Sequence, residues 1–270
     1  MIRIIIKDDK DTDLKVKGDK DVGRIKTISD FKDISDDELW AYFSSACIKQ
    51  KANENIKYIF NIAMMDKSLF PRFLLITGAS YKDYIDRWIK AYIDADNNPP
   101  SKRVASPKRS CSDPAVKSVV KIATGASDDE AQKQESHHNL FMSSENIQGQ
   151  LLEEYISISV SEHGWFWCKG NTLRSVDFCT KGGEILLQVK NKFNSENSSS
   201  SDIRHGTSIE KWYRLGEHKV GGVMMPVYKW EVLNRVIRKA SGKKCEMSEE
   251  KYIKFLEGIV SKNTKIITDK

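Results

Sequence analysis

Apolar residues recur every three or four positions in several stretches of the chain, which is the spacing of a helix with one buried face. This pattern predicts helices over residues 36–47, 54–65, 80–92 and 143–161. Asp113-Pro114 marks a further short helix, because Asp can cap its start and Pro fits its first position. Ser143 or Ser144 is expected to cap the 143–161 helix, and Gly164 to end it. The polar segment 125–136 is predicted to be a loop.

Strand-like stretches occupy the middle of the chain. They are predicted over Trp165–Cys168, 173–179 and 184–192, and the turn Lys181-Gly182-Gly183 joins the last two into a hairpin. The last 65 or so residues combine helical periods at 232–240 and 249–260 with a strand over Val223–Tyr228. The predicted class is mixed α/β (α+β), with a central mixed β-sheet flanked by helices.

The amino-acid composition excludes several classes of protein. Of the 270 residues, 39% are hydrophobic and 30% are charged, and no apolar run approaches the ~20 residues of a membrane span. Five cysteines without repeated spacing argue against a disulfide framework or a structural zinc site. A cytoplasmic protein without a membrane partner is therefore expected.

Charge is unevenly distributed, although the net charge is only +6. Residues 101–122 hold six basic residues and one acid, whereas residues 127–154 hold seven acids and one lysine. Such segregation can place a basic face against a polyanion and carboxylates against a metal ion. An ordinary solvated surface is the alternative explanation.

The predicted hairpin carries the candidate chemistry. Asp177 lies on its first strand, and Gln188 and Lys190 share one face of the second, because they are two residues apart. A carboxylate oxygen and the backbone carbonyl of Val189 could bind Mg²⁺, which favours oxygen ligands. Lys190 could then orient a water molecule or stabilise a developing oxyanion. In isolation, Asp and Lys on paired strands more often form a surface ion pair.

The preceding helix offers a further acid. Glu153 and Glu154 follow Gly149 on an otherwise apolar helix, so one of them can point at the sheet and supply a second carboxylate. We favour Glu153. Glu184 shares the strand face with Gln188 but lies about 13 Å along it, and is discounted.

The hairpin resembles the PD-(D/E)xK nuclease core, with Val176-Asp177 in the place of "PD" and Gln188-Val189-Lys190 in that of "(D/E)xK". More specifically, four stretches resemble the SinI/AvaII-type family of type II restriction endonucleases. They are SSENIQGQLLEEYI (143–156), GWFWCKGNTLRSVDF (164–178), LLQVKNKFNSENSSSSDIR (186–204) and GTSIEKWYR (206–214). The resemblance covers about residues 75–215.

The resemblance implies a Mg²⁺-dependent endonuclease that acts as a homodimer on a short G/C-rich palindrome of the GGWCC kind in double-stranded DNA. It implies that Asp177 is the metal-binding acid and Lys190 the catalytic lysine. Gln188 stands where the general pattern has a second acid, and an amide oxygen can bind a metal but carries no charge. A cognate DNA methyltransferase is implied as a genetic partner, not a physical one.

The segment that follows Lys190 is interpreted as the DNA-contacting part. Asn191, Asn194 and Asn197 offer amides to base edges, and the Ser198 and Ser199 hydroxyls offer donors to bases or phosphates. Arg204 is the candidate for bidentate contact with guanine. The expected phosphate ligands are Lys192, Lys211 and Arg214, with Arg174 as a further DNA contact. A flexible linker is the alternative for the Ser/Asn run.

The domain organisation expected from these assignments is one compact domain overall. Residues 1–100 are a mainly helical region packed on the core, and residues 101–136 are a basic and polar loop region. Residues 137–270 hold the nuclease core, the DNA-recognition segment and C-terminal helices. Three other functions stay open: a structure-specific repair or junction nuclease, a non-catalytic DNA-binding protein in which Gln188 marks a decayed site, and a protein-interaction module in which the hairpin is incidental.

Overall fold

The computed structural model describes residues 23–104, 113–192 and 208–267. The α-helices within these ranges are α1 (Asp36–Gln50), α2 (Ile56–Met65), α3 (Tyr81–Asn97), α4 (Pro114–Thr124), α5 (Asp128–Val160), α6 (Trp230–Ser241) and α7 (Glu249–Lys262). The strands are β1 (Arg24–Lys26), β2 (Phe73–Leu75), β3 (Trp165–Trp167), β4 (Phe178–Thr180), β5 (Leu186–Lys192), β6 (Ile209–Val220) and β7 (Val223–Tyr228). None of the described helices is both long and apolar enough to cross a membrane.

Helix α5 is 33 residues long and begins fifteen residues before the predicted start. Ser127 and Glu130 form a capping box there, and three acidic residues in the first turn suit the positive end of the helix dipole. The prediction of a loop over 125–136 was therefore wrong. Ser143 and Ser144 are not caps either, because their hydroxyls lie within α5 and donate to the carbonyls four residues earlier.

Strands β3 to β7 form a mixed sheet in the order β3-β4-β5-β6-β7, and β1 pairs with β2 in a separate ladder, so the predicted mixed α+β class is confirmed. Strands β4 and β5 are antiparallel, as are β6 and β7. β4 is shorter than predicted, because Ser175 has a positive φ of 63° that interrupts an extended chain. The twelve-residue strand β6 was not predicted.

The chain divides into two compact units. Unit 1 comprises residues 1–97, 166–188 and 208–210, as far as these are described. Its core is formed by α1, α2 and α3, with aromatic residues such as Phe43, Phe60 and Trp88 in mutual contact. The Trp88 indole donates to the Thr172 carbonyl at 2.8 Å, which attaches the segment before β4 to α3.

Unit 2 comprises residues 98–165, 189–207 and 211–270, again within the described ranges. Its core lies between the second half of α5 and the C-terminal helices. Tyr155 of α5 contacts Trp230 of α6 and Tyr252 of α7 through their rings. A smaller apolar cluster joins Ile147 and Leu151 to the C-terminal end of the described chain.

Candidate active site

Asp177 lies immediately before β4 and is held by backbone hydrogen bonds on both sides. Its N–H donates to the Leu187 carbonyl at 2.9 Å, and its own carbonyl accepts from the Cys168 N–H at 2.8 Å. The β4–β5 ladder pairs Phe178 with Leu187. Asp177 and Gln188 are the next residues beyond that pair, so unit 1 brings the two predicted ligands to one end of the hairpin.

The Gln188 side chain is buried, with 4% of its surface exposed. Within the described residues its Oε1 atom has no hydrogen-bond partner, and it is the only such buried side-chain atom in unit 1. A buried oxygen without a donor costs about 1–3 kcal/mol. Such an atom is therefore suited to receive a ligand that the protein itself does not supply.

Lys190 follows two residues later on the same strand and therefore on the same face as Gln188. Its side chain is half-buried, and it belongs to unit 2, as does Glu153. Val189, between Gln188 and Lys190, is buried, and its side chain points to the other face of the strand. The alternation of side chains expected from the sequence, with Gln188 and Lys190 on one face, is thus present in β5.

The two acids of α5 have different surroundings. Glu154 is buried, and its carboxylate accepts the Ser101 N–H at 2.8 Å and the Ser101 hydroxyl at 2.6 Å. Glu153 is half-buried and projects about 100° away around the helix. Glu154 is therefore held by Ser101, and the role of Glu153 as a second active-site carboxylate stays a prediction.

Glu184 has a structural role in the hairpin turn. Its carboxylate accepts the Thr180 hydroxyl at 2.6 Å, and this hydrogen bond holds the pKa of Glu184 below its usual value. The position supports the turn between β4 and β5 and agrees with leaving Glu184 out of the ligand set.

The residues at the hairpin end fit a Mg²⁺ site of low charge. Within unit 1, the Asp177 carboxylate and the orphaned Gln188 amide oxygen are oxygen ligands, the kind that Mg²⁺ selects. In the described part of the chain no group of three His, Cys, Asp or Glu side chains is close enough to hold a metal ion.

Arg214, predicted to bind phosphate, has a different position in the structure. The residue is buried in unit 2, with 9% of its surface exposed, and its Nε donates to the Asn191 Oδ1 at 2.9 Å. It also forms an ion pair with Glu249 and lies over the Tyr228 and Tyr252 rings, 5.5 and 5.4 Å from their centroids. The guanidinium is therefore occupied by contacts within unit 2, and this position does not suit a phosphate ligand.

Of the other expected DNA contacts, some lie in the described part of the chain and some lie outside it. Lys192 is exposed and pairs with Glu217 at 2.7 Å, a hydrogen bond that raises the pKa of the lysine. Lys211 and Arg174 are half-buried, and the Arg174 N–H is bonded to the Leu69 carbonyl. The remaining candidates lie outside the described residues: Asn194, Asn197, Ser198, Ser199 and Arg204.

Sequence reasoning missed Glu249, which completes the surroundings of Arg214. Its carboxylate also accepts the Trp230 indole N–H at 2.8 Å, so it connects β6, α6 and α7. The available signal was weak. Ser248 caps α7, which makes Glu249 an expected first-turn acid, but nothing in the pattern indicates its partner 35 residues away.

Comparison with known proteins identifies the family. The profile of the SinI restriction endonuclease family matches residues 85–261. The chain is 40% identical over 116 residues to the type II restriction enzyme Eco47I of Escherichia coli, covering 42% of this chain and 50% of that protein. It is also 40% identical over 113 residues to the type II restriction enzyme SinI of Salmonella infantis, covering 40% and 49% respectively.

The aligned part of this chain spans about half the length of these curated relatives. The family match, over residues 85–261, includes both strands of the hairpin, β4 and β5. Because that match extends over well more than half of the sequence, the chain belongs to the SinI restriction endonuclease family.

Proposed function

We propose that the protein is a Mg²⁺-dependent type II restriction endonuclease that hydrolyses double-stranded DNA at a short G/C-rich palindrome of the GGWCC kind. The buried, unpartnered Gln188 oxygen beside Asp177 carries the proposal, because it gives the hairpin a place for a cation. Membership of the family and the names of the two relatives support the reaction class.

Asp177, Gln188 and the Val189 carbonyl would hold Mg²⁺. The ion would supply a lowered pKa for a coordinated water and charge neutralisation at the phosphate. Asp177 provides the one negative charge of this set, and its backbone hydrogen bonds to Leu187 and Cys168 hold its main chain in place. The Gln188 amide adds an oxygen without adding repulsion towards the phosphate.

Lys190 acts on the substrate side of the strand. Its ammonium group orients the attacking water and stabilises charge that develops on the scissile phosphate. Water attacks phosphorus, the P–O3′ bond breaks, and the products are a 5′-phosphate and a 3′-hydroxyl. Glu153 is proposed to contribute the second carboxylate.

Recognition is assigned to the residues that follow Lys190, from Asn191 onwards. Asn191 presents its amide NH₂ while its oxygen is bonded to Arg214. Lys192 and Lys211 are proposed as phosphate ligands, with Arg204 as a guanine contact. A homodimer would cut both strands, because a palindrome matches a two-fold axis. A cognate methyltransferase that protects the same site would be its genetic partner.

The test is digestion of plasmid DNA by the purified protein with Mg²⁺ and with EDTA, followed by sequencing of the ends. Discrete Mg²⁺-dependent fragments with one recurring end sequence are expected. Asp177→Ala should abolish cleavage but keep specific binding, whereas Glu184→Gln in the same hairpin should still cut. The proposal would be contradicted if the wild type bound DNA specifically but cut it with none of the divalent cations tested. That result would favour a non-catalytic DNA-binding protein.

A further inference from the structure

The hairpin of β6 and β7 continues the strand face that carries Lys190. Strand alternation puts Lys190 and Lys192 on one face of β5, and the Lys192 ammonium contacts the Glu217 carboxylate of β6 at 2.7 Å. The odd-numbered residues of β6 therefore share that face, whereas Arg214 bonds to Asn191 on the opposite one. This surface, the Lys190 face, is defined by Lys190, Lys192, Lys211, Glu217 and Lys219.

The outer part of this hairpin, residues 217–226, is a narrow ribbon that lies entirely in unit 2, as Lys190 does. Its ladder pairs Lys219 with Met224 and ends in a two-residue turn, Gly221-Gly222. Both glycines have a positive φ, as the tightest hairpin turns require. From Gly216 to the turn the ribbon extends about 13 Å at ~3.3 Å per residue. All its side chains are exposed, Met224 at 55%.

The exposure of both faces indicates that the ribbon contacts a partner. Two strands without a covered face are only marginally stable in water. Addition of another strand is disfavoured, because β7 is the edge strand of the described sheet and contains Pro226. Counted from the turn, the Pro226 nitrogen faces away from β6, so the outer edge lacks a donor there. A partner must therefore meet a face of the ribbon.

The charges of the Lys190 face favour DNA as that partner. Among the described residues of β5, β6 and β7, this face carries four lysines, and Glu217 is its only acid, which Lys192 neutralises. No acid follows until Glu231, beyond the end of β7. A lysine-rich surface without free carboxylates is the electrostatic pattern that attracts a polyanion.

The dimensions of the ribbon fit one groove. The major groove of B-DNA is about 12 Å wide and admits a two-stranded ribbon, whereas the minor groove is about 6 Å wide. We propose that residues 217–226 enter the major groove of the substrate, with Lys219 against a backbone phosphate and Met224 against base edges. Both side chains lie on the Lys190 face, so the same surface would carry the cleavage chemistry and the groove contact. The inference deepens the proposed function, because it rests on DNA as the substrate.

Binding of a mixed-sequence duplex in EDTA, followed by fluorescence anisotropy, tests the phosphate contact without cleavage. Lys219→Ala should weaken binding about fivefold and reduce the slope of log affinity against log salt by about one. Lys239→Ala removes the same charge from an exposed position about 13 Å along α6 from Trp230 and should change neither quantity. Wild-type affinity and salt slope in Lys219→Ala would overturn the inference.

Two neighbouring methionines test which face of the ribbon meets DNA. Met224→Glu puts a carboxylate on the Lys190 face and should weaken binding at least about tenfold. Met225→Glu makes the same change on the opposite face and should weaken it much less. Both variants should be folded by circular dichroism, since both side chains are exposed. Equal losses in the two variants would overturn the assignment of the Lys190 face.

The groove and the kind of partner can be tested with the same proteins. Methyl green, which occupies the major groove, should compete with the wild type; competition by the minor-groove ligand distamycin alone would overturn the groove assignment. A Met224→Glu variant with altered sedimentation but unchanged DNA affinity would assign the ribbon to protein association and overturn the inference. If the wild type cleaves DNA and the ribbon variants bind normally, the ribbon fails and the nuclease stands. Ribbon-dependent binding by a chain that never cleaves would support the ribbon and contradict the nuclease.

Discussion

Replacing Glu249 by alanine should strongly destabilise unit 2. The Arg214 guanidinium and the Glu249 carboxylate form an ion pair with side chains 10% and 14% exposed. Without the carboxylate, the guanidinium would keep the Asn191 oxygen and two tyrosine rings but no counter-charge. The Trp230 indole N–H would lose its acceptor as well.

The burial of the pair decides the magnitude. An exposed ion pair contributes about 0–1 kcal/mol, whereas removing one partner of a buried pair costs about 3–5 kcal/mol, because a desolvated charge is left behind. Most domains are stable by only about 5–15 kcal/mol. Glu249→Ala is therefore expected to remove a large fraction of the stability and to lower the urea midpoint clearly.

Urea unfolding followed by tryptophan fluorescence is a suitable assay, since Trp212 and Trp230 lie in this cluster. The control is Glu250→Gln on the same first turn of α7, where the side chain is exposed and a change below about 0.5 kcal/mol is expected. The double replacement Arg214→Met with Glu249→Leu should recover part of the loss, because no unpaired charge remains, while the Trp230 indole N–H still lacks its acceptor. A loss below about 1 kcal/mol for Glu249→Ala would refute the reasoning and show that the pair is solvated.

Three further outcomes are expected. Gln188→Glu adds a negative charge beside Asp177 and should tighten Ca²⁺ binding about tenfold in calorimetry; unchanged affinity would remove Gln188 from the ligand set. Glu154→Gln should lower stability by about 1–3 kcal/mol through its bonds to Ser101, whereas Glu153→Gln should lower cleavage with little loss of stability; the reverse pattern would exchange their roles. Burial raises the pKa of Tyr252 to about 12 from 10.0, so its contribution to stability is complete below pH 10 and is lost as the pH rises towards 12. The melting temperature should therefore fall less steeply over that range in Tyr252→Phe, and an identical decline in both proteins would assign the alkaline loss to other groups.

The parts of the fold that the sequence predicts are those with a single apolar stripe. Helices α1, α2 and α3 and strand β5 have regular spacing, and the structure places them close to the predicted bounds, whereas β4 is shorter than its prediction. The start of α5 differs, because it is formed by a capping box and by contacts with α4 instead of an apolar face. A pattern of hydrophobic residues cannot show a helix of that kind.

Strand β6 escaped prediction for a related reason. Its buried positions alternate correctly, but Trp212 is followed at the next two of them by Arg214 and Gly216, which do not read as core residues. The burial of Arg214 depends on its ion pair with Glu249, which lies in α7 and is distant in sequence. The pairing of Asp177 with the Gln188 end of the hairpin was predictable, since it depends only on a short turn and on strand alternation.

The two parts of helix α5 differ in local stability, although the helix is continuous. Ala131 is the only buried residue in its first fifteen positions, whereas eight of the remaining eighteen are buried in the core of unit 2. Amide hydrogens in the first part therefore exchange with solvent when that end frays, and those of the second part only when the unit unfolds. The boundary near Ser143 would appear in a hydrogen-exchange profile as a step in protection with no break in the helix.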